Sequence, residues 1–361
     1  MKKLNIGFFT SWGEMGHAYM TKQFRDVIAT EHETFIFAGQ NFRWGGEKIQ
    51  ENTGIWNVQN LKLVDYPYMH IGNHLDEVKE WIITNKIDIV FFNECYDWGL
   101  IEYCGSLCKI VTYLDYFTEA WIESFKIFDK VIVCAQHAYQ VFKDFDNVVF
   151  IDWGVDTNLF KPTKNKDKCT FFHSAGWGGI NWRKCSPDVL KIFDEISKEH
   201  DFTLFFHSQR KLDQYDEECQ RIIKTNSKIT SHFGSVSHPG LYHKGIINVA
   251  PSKLEGLGLF LPEGLSCGMP TITTNALPMN QFVQDNINGS LVNTVNFHYR
   301  TDPYYFPEYE IDLNDLKNIM IYLGLNKHQQ KNMAKNARKY IMKKHNLSNF
   351  KNKVLKEINL S

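Results

Sequence analysis

The chain has 361 residues, 43% of them hydrophobic and 22% charged, a soluble globular balance that fills two cores and argues against a disordered or fibrous protein. A formal net charge of −1 excludes a global attraction to nucleic acid, so any bound anion must be held by local cations. The eight cysteines are scattered with no C-x-x-C pair, which points to reduced core thiols and away from a disulfide or zinc framework.

From the N-terminus, Met1-Lys2-Lys3 runs into an apolar stretch too short for a signal core and followed at once by a polar loop. It is read as a first strand over 4–10, and the protein as cytosolic. Further apolar runs at 33–38, 61–64, 87–93, 109–114, 130–134 and 147–151 read as strands, with segments of helical length between most of them, among them 15–30, 74–84 and 119–128. This alternation predicts an α/β, doubly wound parallel sheet, whose ligands sit outside the carboxyl ends of the strands. The loop after the first strand carries Gly13 and Gly16, which would let a diphosphate or an acceptor approach the backbone; a plain strand-to-helix turn is the alternative. Trp44 and Trp56 stand in a polar loop that would border an acceptor cleft, although packing of the two rings against the domain is favoured.

A polar run at 161–168 marks a domain boundary, and Gly154 and Asp156 before it read as a turn and a cap. Alternation then restarts, with strands at 170–173, 203–206, 228–232, 245–249 and 271–273 and a helix over 186–198. The loop after the first of these strands has three glycines and ends on two cations, Arg183 and Lys184. Cations oppose the dipole at a helix start, so a merely solvated basic pair is disfavoured there. The aromatic segment 297–309 would touch an acceptor, a partner or a membrane, or pack on itself as a long loop, the reading favoured here. From Asp312 the chain reads as helical, with lysine-rich stretches at 327–344 and 348–356. These would meet an anionic membrane peripherally or, as favoured with Glu357 nearby, form the wet face of a helix.

The chain is organised around Ala250–Gly268. A short buried strand leads through a loop with Gly256 and Gly258 to Pro262, a residue suited to the first position of a helix. Glycines permit close backbone approach, and unpaired amides at a helix start favour negative charge, so the loop suits a phosphate. Carboxylates repel phosphate, so Glu255 and Glu263 on either side would face sugar hydroxyls instead. Phosphate flanked by hydroxyls describes a nucleotide sugar.

Glu255 and Glu263 with seven residues between them, followed by Gly264, Gly268 and Pro270, resemble the signature of retaining glycosyltransferases of family 4 with the GT-B fold. The segment Gly154-Val155-Asp156 with Phe160 and Pro162 is similar to a second family segment, so the resemblance covers both halves of the chain. It implies two Rossmann-like doubly wound domains facing across a cleft: an acceptor-side domain over 1–160 that the last helix, about 345–361, rejoins, and a donor-binding domain over 161–344. It also implies a nucleoside diphosphate sugar as donor, a glycan, lipid-linked or small-molecule acceptor, and no metal or other cofactor.

By that resemblance Glu263 would accept the ribose hydroxyls and Glu255 those of the transferred sugar, while the amides of Gly258, Leu259 and Phe260 would hold the diphosphate. Trp177 occupies the place of a family arginine, which leaves that role to Arg183 and Lys184, with Lys253 as a third cation. Residues 231–237 resemble the segment lining the nucleobase pocket, and Asn275 to Asn280 would continue the cleft wall. Leu114 replaces a family histidine and cannot shuttle a proton, so Asp115 or the nearby Glu119 would act in its stead, together with Asn93 and Glu94 at the end of another strand; capping of the next helix is the other reading of Asp115. The expected function is sugar transfer to an acceptor hydroxyl, against two alternatives: a non-catalytic partner subunit or a nucleotide-sugar 2-epimerase.

Overall fold

A computed structural model describes residues 3–42, 48–164, 168–177, 183–300 and 305–359. The chain divides into two compact units, Met1–Ile151 with Ser348–Ser361, and Asp152–Leu347.

The first unit is built on strands β1 (Asn5–Ser11), β2 (Glu33–Phe42), β3 (Lys48–Ile49), β4 (Leu61–Pro67), β5 (Ile89–Asn93), β6 (Lys109–Leu114), β7 (Lys130–Val133) and β8 (Val148–Phe150). Their order is β3-β2-β1-β5-β6-β7-β8, with β4 also on β2, and every pairing is parallel except β2 with β3. The central strands are buried on both faces, which is why Ile6 to Phe9 and Ile89 to Phe92 read as unbroken apolar runs. Gly7 is required for packing, since a Cβ there would lie 2.5 Å from the Trp81 ring.

Helices α1 (Gly16–Ile28), α2 (Leu75–Thr84), α3 (Trp98–Gly105) and α4 (Gln136–Phe142) connect these strands. On α1, Met20, Phe24, Val27 and Ile28 recur at helical spacing and are buried. The predicted helix over 119–128 is instead two 3-10 turns, Glu119–Trp121 and Glu123–Ile127, with Phe125 turned into the core. Trp56 is a buried core ring, edge-on to Trp12 at 5.2 Å; Trp44 lies outside the described residues.

The second unit carries β9 (Cys169–Gly176), β10 (Leu204–Ser208), β11 (Ile229–Phe233), β12 (Gly245–Ala250), β13 (Thr271–Thr274) and β14 (Gly289–Val292), all parallel, in the order β11-β10-β9-β12-β13-β14. Helices α5 (Ser186–Glu199), α6 (Glu217–Thr225), α7 (Phe260–Ser266), α8 (Leu313–Leu325) and α9 (Lys327–Lys344) belong to it. The order reverses between β9 and β12, so the carboxyl ends of those two strands flank the topological switch point at which such sheets bind ligands.

The aromatic segment read as a long loop is an antiparallel hairpin, β15 (Thr294–Arg300) with β16 (Phe306–Ile311), in which Tyr299 and Tyr305 stack at 4.8 Å. The linker joins the second unit earlier than residue 160, directly after Ile151, because residues 155–160 are held by its helices. The Val155 amide donates to the His345 carbonyl at 2.7 Å, and Arg338 donates to the carbonyls of Thr157 and Phe160, each at 2.8 Å. Asp156 Oδ1 accepts from the Asn158 and Leu159 amides at 2.9 and 3.2 Å, the cap expected of it. The last helix, α10 (Leu347–Ile358), packs in the first unit, with Phe350 against Phe24 at 5.2 Å and Glu357 paired to Lys130 at 3.3 Å. All eight cysteines are free.

Candidate active site

At the switch point of the second unit, β12 runs into the loop Pro251–Gly258, and every loop residue except Lys253 is buried. A buried loop must satisfy its backbone polar groups within the protein. The Lys253 amide donates to the Arg183 carbonyl at 2.8 Å, tying this loop to the segment after β9, and the Lys253 carbonyl accepts from the Tyr309 amide of β16 at 3.0 Å. Thr274 at the end of β13 donates its hydroxyl to the Ser252 carbonyl at 2.6 Å. Gly258 closes the turn at φ +77°, a backbone angle that strains any side chain, and a Cβ there would press on Leu261 Cδ1 at 3.0 Å while only touching Glu255 Cγ at 3.4 Å. The helix α7 then begins at Phe260, two residues before Pro262, and its N-cap Leu259 has no side-chain acceptor for the first amides. Pro262 is still within the first turn, where a missing N–H costs nothing.

The two cations and the first acid converge. Lys184 Nζ lies 2.5 Å from Glu255 Oε1, and Arg183 Nη1 lies 4.0 Å from Glu255 Oε2. Glu255 is 4% exposed and Lys184 6%. Burial pushes the Glu255 carboxyl up, but the neighbouring Arg183 and Lys184 charges outweigh it and leave the acid below its ordinary value. Burial likewise pulls the Lys184 ammonium down to about 8 against the pull of Glu255, so both groups carry charge at neutral pH. The Lys184 ammonium also sits over the Phe260 ring, 3.4 Å from its centre, at the first residue of α7. One donor is engaged by Glu255 and one face by the ring, which fixes the ammonium between the loop and the helix start.

Glu263, partly buried on α7, accepts a hydrogen bond from the Tyr242 hydroxyl at 2.6 Å. Burial raises its carboxyl to about 7, opposed by that hydrogen bond, and burial also keeps the Tyr242 phenol protonated far above its ordinary range. Because the folded pKa exceeds the unfolded value, the folded chain retains a proton that the unfolded chain has already released. The resulting stability is present at acid pH and lost as pH rises from about 4.5 through about 7. At 1.36 kcal/mol per unit and with the acid partly open to water, the loss is about 1–3 kcal/mol. Glu263→Gln is expected to remove this slope, so that urea unfolding at pH 5 and pH 8 gives a native-minus-variant difference that changes by that amount. Equal pH slopes for the two proteins would contradict it.

Arg210, just past β10, carries no motif in the sequence, and Tyr242 is marked there only as an aromatic residue shortly ahead of β12. The Arg210 guanidinium stacks on Trp177, the residue standing where a family arginine was expected, 4.1 Å from the ring centre. The loop after β11 is tied to β10 through the Gly234 amide, which donates to the Ser208 carbonyl at 2.8 Å, and through His207 Nε2, which donates to the Gly234 carbonyl at 3.0 Å. Asn275 lines a polar cavity of about 400 Å3 with Asp285, Asn293 and Asp315, at the β13–β14 edge of the sheet.

The remaining candidates lie in the first unit at the carboxyl ends of its strands. Gly13 has φ +152° and a Cβ there would meet Ile49 at 2.7 Å, whereas Gly16, the first residue of α1, has open space around it. Asp115 follows β6 and is 8% exposed, and the N-cap of the next turn is Thr118 and not Asp115. His17 donates from Nε2 to the Asn93 carbonyl at 2.8 Å and accepts at Nδ1 from Ser11 Oγ at 2.9 Å. Both ring nitrogens are thereby engaged in holding β1, α1 and β5 together.

The family described as "Glycosyl transferases group 1" matches residues 177–298, which span the Trp177 turn, the Glu255 loop and α7. No protein of curated function matches the chain. Among solved structures, the fold is similar to a glycosyltransferase from Rickettsia africae ESF-5, with TM-score 0.75, 15% identity and all of both chains covered. It is also similar to Anabaena HepE in complex with UDP and glucose, with TM-score 0.72, 12% identity and 98% and 99% of the two chains covered. The sucrose-phosphate synthase of Thermosynechococcus elongatus superposes with TM-score 0.69 and 15% identity over 97% of each chain. The fold is of the two-domain GT-B class found in glycosyltransferases. The glycosyl transferases group 1 match within the second unit makes the particular case that of a transferase enzyme.

Proposed function

We propose that the chain is a retaining glycosyltransferase of family 4 type that moves a sugar from a nucleoside diphosphate sugar to an acceptor hydroxyl on a glycan, a lipid-linked glycan or a small molecule. The observation that carries this reading is the buried Lys184–Glu255 pair set against the positive-φ turn at Gly258 and the start of α7. Lys184 and Arg183, with the amides of Gly258, Leu259 and Phe260, would take the diphosphate; Glu255 would hold hydroxyls of the transferred sugar and Glu263 those of the ribose. The bond from the anomeric carbon to the diphosphate oxygen breaks, the acceptor oxygen bonds that carbon on the same face, and the acceptor proton passes to the departing phosphate oxygen. Cations and amides at the leaving group stabilise the charge that builds there, so neither a metal nor a protein base is required. The first unit, with Gly13, Gly16 and Asp115 at the ends of its strands, would serve the acceptor.

The reading has a direct test. The full chain is mixed with UDP-, GDP- and ADP-sugars without acceptor, and free nucleotide is followed by chromatography. Steady release from one donor, by slow transfer to water, is the expected result. Silence with every donor, together with no shift in melting temperature on adding the nucleotides, would overturn it.

A further inference from the structure

Arg210 is held from several sides. Its amide donates to Ser208 Oγ at 3.0 Å, and that hydroxyl is itself fixed by the Tyr215 hydroxyl at 2.8 Å. The Gln209 amide beside it donates to the Gly176 carbonyl at 3.1 Å, joining the β10 turn to the β9 turn. The side chain is pinned as well, its face on the Trp177 indole and its Nε donating to the Trp177 carbonyl at 3.1 Å. A guanidinium has five N–H donors in a rigid plane, and here one is used and one face is covered. Among the described residues no carboxylate lies within ion-pair distance of it. What remains is the Nη1–Nη2 edge, a planar fork of the kind that grips an oxyanion with two parallel bonds.

The sheet order places that fork. β10 neighbours β9, and β9 neighbours β12, so Arg210 stands one strand from the segment carrying Lys184 and two strands from the Glu255 loop. At about 4.8 Å per strand it lies on the order of 10 Å along the sheet from Glu255, on the same carboxyl-end side. Stacking on an indole also orders the side chain before a ligand arrives, which lowers the entropy lost on binding.

We infer that Arg210, held flat on Trp177, is a phosphate-binding residue of the donor site, its outer edge taking an oxyanion of the nucleoside diphosphate in bidentate fashion. The inference rests on the donor-binding reading of this unit. The cation expected at position 177 is thereby supplied from the neighbouring strand, with tryptophan serving as its platform.

The experiment is calorimetric titration of the full chain with UDP, GDP and ADP and with the corresponding nucleosides. For whichever diphosphate the native protein binds, Arg210→Gln is expected to raise Kd at least about tenfold and leave the nucleoside Kd unchanged. Arg210→Lys is expected to recover only part of that loss, because a point charge lacks the fork. An unchanged diphosphate Kd in Arg210→Gln, or equal losses for diphosphate and nucleoside, would overturn the assignment while leaving the donor reading intact. A native chain that binds no diphosphate fails the donor reading itself. Should Arg210→Gln melt earlier than the native protein, Trp177→Ala replaces it: loss of the stack is expected to weaken the diphosphate alone by about two- to fivefold, and no weakening overturns the inference.

Discussion

Replacing Lys184 with methionine is expected to lower the unfolding free energy of the second unit by about 3–5 kcal/mol, because it leaves one half of a buried ion pair alone. Glu255 is 4% exposed and its nearest cation, at 2.5 Å, would be gone. Methionine keeps the length of the stem and a favourable sulfur contact with the Phe260 ring, so the loss reports the charge and not the packing. Arg183 at 4.0 Å remains as a second, more exposed cation, which places the expected value toward the lower end of that range. The double variant Lys184→Met with Glu255→Gln is expected to recover most of the loss, since removing both charges also removes the desolvation that the pair had to offset. The deficit of the single variant also shrinks as pH falls toward the carboxylate range, where Glu255 takes up a proton and needs no partner. Urea unfolding followed by tryptophan fluorescence measures all three proteins, and a double variant no more stable than the single one would contradict the pairing.

Glu255→Gln alone is the change with the largest expected effect on catalysis. The amide keeps the volume of the acid and still accepts from Lys184, and the ammonium, already held down to about 8, sheds its proton more readily once its partner charge is gone, so the variant is expected to be less stable but folded. What is removed is the negative charge at Oε2, the oxygen that Lys184 does not engage and that lies at the edge of ion-pair distance from Arg183. In the proposed reaction that oxygen would hold hydroxyls of the transferred sugar while the cations hold the departing diphosphate. Loss of one such preorganised charge typically costs about 10²–10³ in rate, or about 3–4 kcal/mol of barrier. Transfer is therefore expected to fall by that factor with nucleotide affinity largely kept, as kcat and a separate nucleotide Kd would show. A variant with native kcat would reduce Glu255 to a structural partner of Lys184.

Much of the architecture was legible in the chain, and for a local reason. Central parallel strands are buried on both faces, so runs such as Ile6 to Phe9 and Ile247 to Ala250 announce themselves without reference to any neighbour. The same holds for the turn at Gly258, where only glycine tolerates the backbone angle beside a carboxylate. The segments misread, 119–128 and 297–309, are those in which aromatic residues satisfy a helix, a loop and a hairpin equally well, so that packing alone chooses.

The sequence by itself thus determined two doubly wound units, the glycine turn and the pair of acids that bracket it, because these depend on residues within a dozen positions of one another. Only the tertiary structure decided how the charges are partnered. Lys184 meets Glu255 across 71 positions, Tyr242 donates to Glu263 across 21, and Arg210 reaches Trp177 across 33. The Lys184–Glu255 and Arg210–Trp177 pairings exist because β10, β9 and β12 lie side by side, and that order follows from which faces pack best, a property of the assembled sheet that no local pattern encodes.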